Sequence, residues 1–149
     1  MSANSRLTIA IHTLAWMELA RRKGADTVTS DQIAASVNTN PVVIRRLLGS
    51  LREAGLVSAR RGSSAGWNLT SPADKTSLLA VYDAVESGQI FAMHAGQPSQ
   101  RCPVGRGIQP VLQSAYAGVE QAMRAELSGR TVSDVLDEIL TKRQPKESL

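Results

Sequence analysis

One stretch, residues 29–69, constrains the fold more than any other: TSDQIAASVNTNPVVIRRLLGSLREAGLVSARRGSSAGWNL. Thr29 and Gln32 have the T-x-x-Q spacing of a capping box, which opens a helix. Ile33, Ala34 and Val37 give that helix a short apolar face, and Asn38, Thr39 and Asn40 end it. Pro41 suits the first turn of a new helix, where its missing N–H would be unpaired anyway. From Pro41 to Ala54, Ile44, Leu47, Leu48 and Leu51 form the i, i+3, i+4, i+7 stripe of a helix lying on a core. Val42, Arg45, Arg46, Gly49, Arg52 and Glu53 fall on the opposite face, and Gly55 is placed to end the helix at C′.

Two short helices joined by about four residues are the pattern of a helix-turn-helix, whose second helix enters the DNA major groove. The N-terminal residues of that helix meet the bases, so Thr39, Asn40, Pro41, Val42, Arg45 and Arg46 are the candidate contacts. Arginine can bond guanine O6 and N7 bidentately, and small apolar side chains can touch thymine methyls. The hydroxyls of Thr29 and Ser30, like helix-start N–H groups, suit phosphate oxygens, and Arg52 continues the basic face.

Residues 56–61 and 67–69 are two short extended runs around the Gly62–Gly66 tip, which makes a hairpin. Appended to a helix-turn-helix, the hairpin is a wing. Arg60 and Arg61, read at its base, could reach phosphates or a narrow minor groove, and Ser63 and Ser64 sit at the tip. The alternative is a solvated arginine pair on an ordinary hairpin.

The run L-L-x-x-L-R-E-A-G-L-V-S-A-R-R-G-S-S-A-G-W-N-L resembles the Rrf-two family of winged-helix regulators, the group of IscR, NsrR and CymR. The match falls on Leu47, Leu51, Ala54, Gly55, Leu56, Val57, Arg61, Gly62, Gly66 and Leu69. It departs at Ala65, where the family commonly has glycine, and at Trp67, usually tyrosine or phenylalanine. The resemblance covers roughly residues 5 to 140. It implies a DNA-binding regulator that dimerises through a long helix in its second half, with the first helix packed under the DNA-reading pair and against the partner subunit. In the cluster-binding branch three cysteines hold an iron–sulfur cluster. Here Cys102 stands alone, so no cofactor and no metal site is expected.

Charge agrees with a polyanion-binding first half. Residues 1–70 carry nine Lys/Arg against four Asp/Glu, while residues 71–149 carry eight against nine. No apolar run approaches membrane-spanning length, and the first residues lack the basic start and cleavage site of a signal peptide. A single cysteine excludes an intramolecular disulfide framework. A cytoplasmic location with no membrane partner is the expectation.

The rest of the chain reads as helix and loop. Residues 5–22 form a first helix capped by Asn4 or Ser5, with Leu7, Ile11, Leu14, Ala15, Trp16 and Leu19 on its apolar side. His12 reads as packed in that core, and Arg21, Arg22 and Lys23 as the favourable cationic end of the helix. Thr70 or Ser71 with Pro72 restarts a helix that Ser77 to Glu86 continues. Residues 87–107, rich in glycine and proline, predict a loop longer than a connection needs. Within it Cys102 lies between Arg101 and Arg106 and just before a helix start, settings that favour the reactive thiolate. Its C-P-V-G context resembles a cluster-lacking branch of the family, in which some members answer oxidants through cysteine; the alternative is a cysteine that merely packs. Ile108, Val111, Leu112, Ala115, Val119, Ala122 and Met123 stripe a helix over 108–127 as a dimer seam. Thr131 with Asp134 caps a last helix, Thr131–Leu140.

The expected fold is therefore mainly α with a small β-hairpin wing: a winged helix-turn-helix plus a long dimerisation helix. Residues 1–72 would be the DNA-binding region and 73–149 the sensing loop and dimerisation helices. The expected function is a homodimeric DNA-binding transcriptional regulator acting as a repressor on a palindromic operator in double-stranded DNA, with redox gating at Cys102 and a small-molecule or oxidant effector. The alternative is a regulator that docks on a metabolic enzyme, its DNA binding dependent on partner or ligand. A catalytic pair of Cys102 with His94 or His12 lacks any orienting group or oxyanion site, so no enzyme is expected.

Overall fold

The computed structural model describes residues 3–142. Its elements are α1 (Ala3–Arg22), α2 (Ser30–Val37), α3 (Pro41–Glu53), β1 (Val57–Arg60), β2 (Gly66–Leu69), α4 (Leu78–Val85), α5 (Pro103–Ser128) and α6 (Val132–Lys142), with one 3-10 turn at Ala73–Lys75. The mainly α fold with a two-stranded wing is as expected. α1 is the axis of the packing. Its Ala10, Leu14 and Met17 join Ile33, Ile44, Leu48, Leu51, Val81, Val85, Val132 and Leu136 in one buried apolar cluster. Elements on both sides of the wing thus share a core, and burying that apolar surface is the main stabilising term.

Local signals set the helix ends. Thr29 Oγ1 accepts from the Gln32 N–H at 3.1 Å, and Gln32 Oε1 accepts from the Thr29 N–H at 2.9 Å, completing the capping box. α3 closes in a Schellman arrangement, with Gly55 N–H donating to the Arg52 carbonyl and Leu56 N–H to the Leu51 carbonyl, both at 2.9 Å. Gly55 has φ +78°, as that closure needs. Thr131 and Asp134 cap α6 reciprocally, at 2.9 and 3.1 Å.

The wing is anchored at three places. β1 pairs antiparallel with β2, Val57 opposite Leu69 and Arg60 opposite Gly66. Val28, ahead of α2, adds an isolated bridge to Trp67, with bonds of 2.9 and 2.7 Å. Thr70 Oγ1 donates to the Gly55 carbonyl at 2.6 Å, which ties the end of β2 to the end of α3. Gly66 is dictated by the Val28 bridge: a Cβ there would lie 2.7 Å from the Val28 carbonyl, at φ +151°.

Several expectations needed correction. α1 already includes Asn4 and Ser5, so neither caps it; the residues before Ala3 lie outside the described residues. His12 is exposed, not packed in the core, and its Nε2 lies 3.0 Å from Ser36 Oγ of α2. No continuous helix runs from Pro72 to Glu86, because Thr76 and Ser77 are extended and carry the antiparallel bridge from Ser77 to Thr131. α5 begins at Pro103, inside the predicted loop. Gly105, Gly107 and Pro110 are poor helix formers, yet all three lie in α5. Gly105 belongs there because a Cβ would collide with the Ser99 carbonyl of the loop.

Candidate nucleic-acid interface

The turn between α2 and α3 is built from local bonds. Asn38 takes the left-handed conformation at φ +63°, and Thr39 N–H donates to the Ala34 carbonyl at 3.1 Å. Asn40 caps α3, its Oδ1 accepting from the Val42 N–H at 2.8 Å. That cap occupies the Asn40 carbonyl oxygen and leaves its amide N–H donors for another acceptor. Thr39 and Pro41 are half-buried beside it, and Val42 is exposed. Thr29 and Ser30 stand at the start of α2, the Thr29 oxygen being engaged in its capping box.

Ile44, Leu47, Leu48 and Leu51 are buried, so α3 lies on the core with its other side open. At 100° per residue that open side divides into two flanks. Val43, Arg46 and Ser50 fall on one; Arg45 and Arg52 fall on the other. Neighbouring elements mark the two flanks independently. Arg46 and Val43 line a groove with Leu47 and with Arg6 of α1. The Arg52 guanidinium stands 5.7 Å from the Trp67 ring centroid, a cation–π contact that joins α3 to the wing.

Arg60 ends β1 opposite Gly66, and Arg61 opens the tip. Both are therefore at the outer end of the wing rather than at its base, a correction that follows from the Arg60–Gly66 register. Ser63 and Ser64 are exposed in the tip, where the Ser64 carbonyl accepts from Thr27 Oγ1 at 3.0 Å.

Ion pairing separates the arginines. Arg21 and Arg22 hold the buried Glu18 at 2.8 and 2.9 Å, and Arg22 reaches Asp137 of α6 at 2.7 Å. Arg124 pairs with Asp83 through two bonds, at 2.9 and 3.0 Å. Among the described residues, Arg6, Arg45, Arg46, Arg60 and Arg61 have no carboxylate partner. Free guanidinium groups on a helix-turn-helix and its wing form a surface made for an anionic polymer. Arg6 was missed in sequence because it lies far from the motif; its half-buried place in the first turns of α1 carries no signal without the packing of α1 on α3.

The second half presents a different surface. α5 runs 26 residues without one buried residue. Val104, Ile108, Val111, Ala115, Gly118 and Ala122 are exposed at alternating spacings of four and three. Val104 is 68% exposed, Val111 66% and Val119 49%. Leu112 departs from that stripe and faces the loop, lining a crevice with Met93, His94 and Pro98, and Met123 is half-buried. Phe91 of the loop packs on Tyr116 of α5 with ring centroids 4.8 Å apart. Cys102 is the exposed N-cap of α5, and its side chain makes no capping bond.

No helix among the described residues is long and apolar enough to cross a membrane. Residues 3–138 match the family described as Rrf2: Iron-dependent Transcriptional regulator. The chain is 39% identical over 137 residues to YwnA of Bacillus subtilis (strain 168), designated an HTH-type transcriptional regulator; the match spans 91% of this chain and 98% of the relative. It is 25% identical over 136 residues to the HTH-type transcriptional regulator IscR of Cereibacter sphaeroides, spanning 91% and 87%. Its fold is also similar to that of T. potens IscR, with a TM-score of 0.70 at 17% identity, covering 93% of this chain and 88% of the other.

The family description names iron, and the residues of this chain do not fit an iron site. The sequence has one cysteine and two histidines. No three His, Cys, Asp or Glu side chains among the described residues are grouped to hold a metal ion. The sequence match, the helix-turn-helix and the wing converge on one conclusion: the chain belongs to the Rrf2 family and is a DNA-binding transcriptional regulator.

Proposed function

We propose that this regulator is a homodimeric repressor that reads a palindromic operator, with residues 1–72 contacting DNA and 73–149 serving assembly and sensing. The observation that carries the reading is the set of arginines on α3 and the wing, Arg45, Arg46, Arg60 and Arg61, that have no carboxylate partner among the described residues. Two recognition helices related by a twofold axis would enter successive major grooves about one turn (~10 bp) apart. Arg45 and Arg46 act with the α3 entry residues Thr39 to Val42, while Arg52, Arg60, Arg61, Ser63 and Ser64 extend the contact along the wing. Thr29 and Ser30 face the backbone from α2.

The exposed apolar stripe of α5 supports the dimer. Ile108, Val111, Ala115, Val119 and Ala122 would be covered by the same face of a second copy, as a twofold interface requires. Small residues in the middle of the stripe allow the helices to approach closely. Light scattering on the purified protein tests this: a Val111→Glu variant is expected to be monomeric and to lose operator affinity.

The signal is proposed to enter at Cys102. Its exposure and its place at the junction of the loop and α5 support oxidation to a sulfenic acid by a peroxide, with water released. The effect would pass through α5 to the spacing of the two reading heads.

Fluorescence anisotropy with the DNA upstream of the protein's own gene, against scrambled duplex, tests the reading. Selective binding lost on mild peroxide treatment, recovered with reductant and insensitive to peroxide in Cys102→Ser supports the thiol-gated repressor. An unchanged peroxide response in Cys102→Ser removes the gating. A second reading, a regulator that docks on a metabolic enzyme, has the exposed Ile90 and Phe91 of the loop in its favour. It requires that purified protein alone binds the operator weakly at physiological salt.

A further inference from the structure

The groove between α1 and α3 has a volume of about 310 Å3 and is lined by Arg6, Val43, Arg46 and Leu47. Leu47 is buried, Val43 is half-buried, and Arg6 and Arg46 line the groove with them. Neither arginine has a carboxylate partner among the described residues. Each guanidinium offers five N–H donors and no acceptor, so the groove joins two donor-rich side chains to two apolar ones. A nucleic-acid strand has the complementary pattern, anionic phosphates alternating with the apolar faces of deoxyribose.

We propose that the α1–α3 groove is a seat for the sugar–phosphate backbone of one DNA strand, with Arg6 and Arg46 each on a phosphate and Val43 against a deoxyribose. The seat rests on the DNA-reading role of α3 and divides that role between its flanks. Arg46 positions the backbone together with Arg6, and Arg45, on the wing-side flank with Arg52, is left to read base edges. Phosphate contacts hold register and carry no sequence information, whereas base contacts do. α1 thereby becomes part of the DNA-binding surface as well as the centre of the core.

Anisotropy with labelled operator and scrambled duplexes, each titrated with salt, tests the seat. Each phosphate neutralised contributes about 0.9 to the slope of log affinity against log salt. In a dimer, Arg6→Ala and Arg46→Ala are each expected to lower the magnitude of that slope by about 2 and to weaken operator and scrambled DNA alike, roughly ten- to hundredfold at low salt. Arg6→Lys should restore the slope, since a lysine also neutralises a phosphate. Arg45→Ala should instead erode the preference for operator over scrambled duplex. Arg6→Gln, which keeps a polar side chain and removes the charge, replaces Arg6→Ala if the alanine variant unfolds. An Arg6→Gln or Arg6→Ala slope equal to wild type overturns the seat, and if Arg46→Ala still weakens binding the regulator reading stands. Wild-type protein that binds no duplex even at low salt would end both.

Discussion

The arginines at the end of α1 and those on α3 have the same chemistry and opposite circumstances. Arg21 and Arg22 close around Glu18, whose side chain is only 4% exposed, and Arg22 extends the network to Asp137 of α6. Arg45 and Arg46 stand on an open helix face with no acid among the described residues near enough to pair. In the first region the positive charge is matched internally, by Glu18 within α1 and, for Arg22, by Asp137 of α6. In the second it is left for a partner. Net charge is blind to this difference; the location of the carboxylates makes it.

The largest effect should come from crossing that division. Charge reversal at both Arg45 and Arg46 is expected to abolish operator binding, since each arginine is worth ~1–3 kcal/mol in DNA contact, with thermal stability unchanged. Anisotropy and a melting curve on the same preparation check both halves of the statement. A lowered Tm would mean that these residues also serve the fold.

Glu18→Ala is the converse. Removing the acid leaves two like charges beside a shielded site, and a loss of about 2–3 kcal/mol in stability is expected. For a chain of this size that is roughly 5–10 °C in Tm. Affinity of the folded protein for DNA should stay as in wild type, measured well below the melting range.

A pH series sharpens the same contrast. The hydrogen bond from Arg21 holds the Glu18 carboxyl below its ordinary value of 4.5 against the opposing effect of burial, with Arg22 assisting. A depressed folded-state value means that the unfolded chain binds more protons in acid, so this contribution is complete above about pH 5 and is lost as pH falls through the folded value. Glu18→Gln should therefore show a shallower acid loss of stability than wild type between about pH 5 and pH 3 in urea unfolding.

Smaller effects belong to the exposed contacts. Arg124→Ala breaks an ion pair whose partners are both substantially exposed, and less than about 1 kcal/mol is expected. Trp67→Leu removes the cation–π contact to Arg52, worth about 0.5–1 kcal/mol, and should loosen the wing more than the core. Hydrogen exchange at the β1–β2 amides would register that loosening.

What the sequence by itself determined are the features whose causes lie within a few residues. The Thr29–Gln32 capping box, Pro41 at the start of α3, the apolar stripe Ile44–Leu47–Leu48–Leu51, Gly55 at its end and the Thr131–Asp134 cap are local hydrogen bonds and helical periodicity. They specify the helix-turn-helix and its wing, and the run through the wing also carries the family resemblance. Tertiary structure decided whatever depends on segments distant along the chain. His12 faces Ser36 because α1 turns that side to α2, and Arg60 and Arg61 sit at the outer end of the wing because Gly66 pairs with Arg60 under the Val28 bridge. α5 begins at Pro103 against the propensities of Gly105 and Gly107, and it lies so close to the loop that the Ser99 carbonyl packs where a Cβ on Gly105 would stand. The groove that Arg6 shares with Arg46 and the reach of Arg22 to Asp137 likewise exist only once α1 lies against α3 and α6. Propensities of a kcal/mol or less per residue yield to such packing, and charge pairing is a property of distance in space rather than in sequence.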